Sequence, residues 1–141
     1  MTPDELIQTI YLGDRGCKGI DIDFWEHKIK LKIDCISRVR SPSGHWEYYN
    51  DENIEDGYIV FSGVESYKID PMGAFADDFI YGLTIKNIEN DSFDNKLYTF
   101  VFEVGYLADA EAVISKTMEI EIIAKDLWLE DPNMPSTRMI D

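Results

Sequence analysis

CKGIDIDFWEHKIKLKIDCI, residues 17–36, alternates apolar and polar side chains with period two on either side of a short break. Ile20, Ile22 and Phe24 share one face of a first strand, and Ile29, Leu31 and Ile33 share one face of a second. A turn centred on Glu26 and His27 sets Ile20 against Ile33, Ile22 against Leu31 and Phe24 against Ile29. On the other face Asp21 meets Lys32 and Asp23 meets Lys30, so both faces agree on one antiparallel hairpin. The same register places Cys35 opposite Lys18 and sends Cys17 to the other face. Two free thiols are therefore expected.

Upstream, Thr2, Pro3 and Glu5 have the spacing of a helix start: a capping hydroxyl, a proline at the first helical position and a return carboxylate. Leu6, Ile7, Ile10 and Tyr11 form one apolar stripe, and Gly13 ends the helix. Downstream, Ser41 to Gly44 is a loop by composition, and Ile59 and Phe61 begin another strand whose alternation falters at Gly63. Tyr67 and Ile69 restore the pattern until Pro71 breaks it. Phe79, Tyr81, Leu83 and Ile85 then alternate, as do Tyr98, Phe100, Phe102, Val104 and Tyr106, with a turn-rich stretch from Glu89 to Asn95 between them. On a further strand, Ile114 to Ile122, Met118, Ile120 and Ile122 point one way and Thr117, Glu119 and Glu121 the other.

These elements add up to a mainly β (α+β) fold, an antiparallel sandwich or half-open barrel of about six or seven strands with one N-terminal helix. A chain of 141 residues fits a single domain spanning 1–141. Pro132 and Pro135 in a polar context give it a loose tail from about residue 130.

Composition narrows the function. With 28 acidic and 13 basic residues the net charge is −15, while 45% apolar and 13% aromatic content is too high for a disordered chain. A field of that sign repels phosphate backbones and anionic headgroups and attracts basic proteins, so neither nucleic acid nor membrane is the expected partner. No apolar run reaches the length of a spanning helix, and the N-terminus has acids where a signal peptide carries Lys or Arg. Cytoplasmic location follows as the expectation, and two cysteines agree with a reducing compartment.

No phosphate-binding glycine loop, no zinc spacing among Cys17, His27, Cys35 and His45, and no nucleophile elbow occurs. Asp51, Glu52, Asn53, Glu55 and Asp56 offer oxygen ligands, yet counting Asp51 as position one of a calcium loop puts Gly57 at seven rather than six. No catalytic residue, metal or cofactor is assigned. What remains is a surface: Trp46, Tyr48 and Tyr49 beside Asp51, Glu52, Glu55 and Asp56 read as aromatic anchors with a charged rim. Core filling is the plainer reading for at least one of those aromatics.

IYLGDRGCKGIDID (10–23), CISRVRSPSGHWEYYNDENIEDGYIVFSGV (35–64) and the Pro71–Gly73 loop together resemble an uncharacterised family of small acidic bacterial proteins. Its members share a GDR-x-C-K start, an ISR-x-RS-x-SG-x-W stretch and an acidic ED-G segment. The likeness covers roughly residues 10–75 and implies bacterial origin without transferring catalytic residues. Length and acidity are also similar to those of immunity proteins from bacterial toxin systems.

The leading expectation is a non-enzymatic acidic binding protein, an immunity-type inhibitor of a basic toxin domain. A small-molecule site, for example for carbohydrate, in a half-open barrel is the alternative. A hydrolase built on Asp14-Arg15 or on Ser43 and His45 comes third. Oligomeric state is not legible from the sequence.

Overall fold

The computed structural model describes residues 2–38, 54–109, 114–135 and 138–139. It is mainly β, with antiparallel sheets, one of them curled into a half-barrel, and one short N-terminal helix. Among the described residues there are ten strands.

Helix α1 is only Pro3–Ile7, opened by the return half of the capping box, in which the Thr2 N–H donates to Glu5 Oε2 at 2.8 Å. The expected stripe through Tyr11 does not stay helical. Ile10–Tyr11 is strand β1, paired with the end of the long strand β3 (Lys28–Arg38). A β-branched and an aromatic residue next to an open sheet edge gain more from pairing there than from extending a one-turn helix.

Strand β2 (Cys17–Asp23) forms the expected hairpin with β3, but in a register two residues away from the one read above. Ile20 lies opposite Leu31, Ile22 opposite Ile29, Asp21 opposite Lys30 and Asp23 opposite Lys28. The faces are unchanged because the slip is even. Turn chemistry explains the slip: either favoured two-residue hairpin turn at Glu26 and His27 would require positive φ at Glu26, which a glutamate does not favour. The loop runs instead from Phe24 to His27, with the Glu26 N–H donating to Asp23 Oδ1 at 2.9 Å and only His27 left-handed at φ 54°. A bulge at Lys18 then sets Cys17 opposite Ile33, and both cysteines are free thiols.

The first sheet continues from β3 to β4 (Ile54–Ser62), β9 (Asp126–Glu130) and β10 (Arg138–Met139). The second has the order β5 (Ser66–Asp70), β8 (Ile114–Ala124), β7 (Lys96–Asp109), β6 (Ile80–Asn90). Gly63, at φ 59°, turns the chain from one sheet into the other, which is why alternation falters there. On β6 the expected alternation is broken at its start. A bulge between Ile80 and Gly82 buries Ile80 and leaves Phe79 and Tyr81 exposed, while Leu83 keeps its inward position.

Between the sheets Ile29, Leu31 and Ile33 of β3, Ile59 and Phe61 of β4 and Leu129 of β9 meet Phe100, Phe102 and Val104 of β7 and Ile120 and Ile122 of β8. Phe61 and Phe100 touch edge to face across that core, with ring centroids 5.1 Å apart. No helix among the described residues is long and apolar enough to cross a membrane.

Candidate partner-binding surface

Trp46, Tyr48, Tyr49, Asp51 and Glu52, with the Ser43 and His45 loop, lie outside the described residues. Glu55 and Asp56 are the members of the expected patch that are described, both on β4. Glu55 is exposed opposite Cys35. Asp56 is engaged: Lys18 Nζ donates to its Oδ1 at 2.6 Å. That bond holds the Asp56 carboxyl below its usual range and the Lys18 ammonium above its own. Asp56 thus fastens the start of β2 to β4 across β3.

Of the other candidate pair, Asp14-Arg15, Asp14 is exposed at φ 55°. Arg15 is buried, and its Nη2 donates to Ser37 Oγ at 3.1 Å. Among the described residues no group of three or more His, Cys, Asp or Glu is placed to hold a metal ion.

Two features that the sequence reading passed over stand out. The first is a row of carboxylates on the outer face of the second sheet. Asp70 lies directly opposite Glu119, which lies directly opposite Glu103, so three acids sit side by side on β5, β8 and β7. Like charges in directly opposed positions destabilise a sheet. Neighbouring Glu121 has Lys86 at 3.7 Å and Lys68 directly opposite it, and Lys68 borders the row beside Asp70 and Glu119, but among the described residues no ion pair reaches any of the three. Each acid was visible in the sequence; their alignment needed the strand order.

The second feature is strand β2 itself. β3 carries β2 on one edge and β4 on the other, and the far edge of β2 has no partner among the described residues. Beside it lies an apolar groove of about 480 Å³ whose lining includes Cys17, Ile20, Ile69, Met72, Phe75 and Met118. Burial in this wall pushes the Cys17 thiol up. Further along the same strand a second cavity of about 450 Å³ is lined by Ile22, Phe24, His27, Val64 and Tyr67, among others. Phe75 is 85% exposed, Phe24 76% and Met72 74%, high values for large apolar side chains gathered along one strand. Ile20 and Phe24 were expected to share one face with Ile22, and both are exposed. The clue to the groove was the apolar content of Met72 to Ala76, a stretch that turn signals mark as loop.

The chain belongs to a family of unknown function, DUF6258, whose model matches residues 1–141. The family likeness therefore reaches beyond residues 10–75 and takes in the second sheet. No curated protein and no solved structure matches the chain.

Proposed function

We propose that this member of the family is a non-catalytic binding protein that captures a basic protein, in the manner of an immunity protein inhibiting a basic toxin domain in the bacterial cytoplasm. The observation that carries this reading is the aligned row Asp70, Glu119, Glu103. Its mutual repulsion costs stability, and a basic partner would relieve it on binding. With a net charge of −15 behind it, the same row steers cations in and keeps nucleic acid and anionic membranes out. The test is capture from the native bacterium at low and high salt, beside an Asp70→Asn, Glu103→Gln, Glu119→Gln variant. The expected partner is a basic protein that binds more weakly at high salt and to the variant. Capture of a neutral or acidic protein, or binding indifferent to both changes, would sink the reading.

The groove beside β2 favours a second reading, a neutral small molecule, carbohydrate included, held in the half-open barrel. Such a ligand would bind with almost no response to salt.

A further inference from the structure

We infer that β2 is a docking edge, which takes an extended segment of a partner protein with alternating basic and apolar side chains as an added strand. The inference rests on the basic-partner reading and specifies where and how that partner is held. Lys18 and the bulge beside it guard the start of β2, but Gly19–Asp23 carries no proline and no further bulge, and among the described residues no strand pairs with its outer edge. Its free backbone groups offer the hydrogen bonds of strand addition.

The side chains of β2 define the occupant. Ile20 lines the apolar groove and Ile22 the second, mixed cavity, so every second residue of an added strand would enter them, beside Met72 and Phe75 or beside Phe24 and Tyr67. Asp21 and Asp23 project from the opposite face. The lysines across from them are turned elsewhere: Lys30 Nζ donates to Glu130 Oε1 at 3.0 Å, and Lys28 lies over the Trp128 ring at 5.7 Å. No ion pair claims either aspartate among the described residues, but Asp23 Oδ1 accepts the turn contact from the Glu26 N–H, which leaves Asp21 as the uncommitted carboxylate. The intervening residues of the added strand are therefore Lys or Arg, placed in cross-strand contact with Asp21 and Asp23. A second copy of this chain is excluded on the same ground. Two β2 edges side by side would oppose acid to acid, on bodies that each carry −15.

The probe is a capped peptide of about nine residues alternating Lys and Val, long enough to span β2. Two companions accompany it, one with alternate backbone amides N-methylated and one with Glu in place of Lys. Binding to the full chain is followed by amide chemical shifts and hydrogen exchange at low salt. Slowed exchange and shifts over residues 18–23, with methyl shifts at Met72, are the expected result. The N-methylated peptide should bind about tenfold more weakly, having lost main-chain hydrogen bonds. The Glu peptide should not bind. Phe75→Ala and Asp21→Asn, both at exposed positions, should each weaken the Lys peptide while amide dispersion shows the fold intact. Equal binding of the methylated peptide, shifts confined to the Asp70–Glu119 row, or no shift at millimolar peptide would each overturn β2 as the docking edge. The basic-partner reading would still stand or fall by the capture experiment. Conversely, peptide pairing along β2 alongside a salt-indifferent partner would remove that reading alone.

Discussion

Arg15 Nη2 donates to Ser37 Oγ at 3.1 Å, and both residues are buried. This contact joins the turn after β1 to the end of β3, and the Arg15 backbone carries the joint onward, its carbonyl accepting from the Ile80 N–H at 2.9 Å. One short segment thus ties the edge of the first sheet to β6 of the second. Ser37→Ala leaves a buried guanidinium with one acceptor fewer, and the expected loss is about 1–3 kcal/mol in urea unfolding. Arg15→Ala removes packing as well and should cost more. An Arg15→Ala protein as stable as the parent would show that the joint is decorative.

Gly57 explains the glycine of the acidic ED-G segment. It is buried on β4 opposite Ile33, and a Cβ there would come within 2.8 Å of Ile36 Cδ1 and 2.9 Å of Ile54 Cγ2. Both are side chains of the packed core. Gly57→Ala is expected to destabilise by about 1–3 kcal/mol through overpacking, read as a lower urea midpoint with an unchanged slope. Gly19→Ala, where nothing lies within 4 Å of the new Cβ, is the control and should move the midpoint little.

How far the sequence could be read follows from which interaction decided each element. Alternation placed Ile29, Leu31 and Ile33 in the core because burial has period two, and it did the same for Phe100, Phe102, Met118 and Ile120. It was blind to whatever shifts the chain without changing that period. The hairpin slipped by two because Asp23 captures the Glu26 N–H, and the alternation of β6 broke at the Tyr81 bulge. Strand β9 was missed because five residues with Trp128 on the outer face make a weak pattern. At the surface, Glu55 and Asp56 were read as neighbours on one patch, but Lys18, distant in sequence, has taken Asp56. The row Asp70, Glu119, Glu103 is written in three separate strands, and only their register brings it together.

Acid should loosen the turn between β6 and β7. Asp91 Oδ1 accepts the Asn95 N–H at 3.0 Å and the Phe93 N–H at 2.8 Å, and Lys125 Nζ is 3.5 Å from Oδ2. The backbone bond from Asn95 first, then that from Phe93, hold the carboxyl below its usual range. A carboxyl depressed in the folded state contributes stability that is present above the unfolded value and lost as pH falls through the folded one. The parent should therefore melt higher than Asp91→Asn near neutrality. The gap should narrow as pH drops below about 4. Thermal melts across pH decide it, and a gap that widens in acid would show that the charge of Asp91 is not the stabilising element.

The carboxylate row carries the opposite expectation for stability. Glu119 stands between Asp70 and Glu103, so neutralising it removes two cross-strand repulsions in one step. Glu119→Gln should stabilise the free protein by roughly 0.2–1 kcal/mol at low salt. The gain should shrink as salt screens the neighbours. If the row exists to meet a basic partner, the same substitution weakens that complex, and the two effects have opposite signs at the same residue. Salt-dependent melts of the free protein and titrations of the captured partner measure them separately. A variant that is both less stable and equally well bound would mean that the row is held by local structure and has no part in recognition.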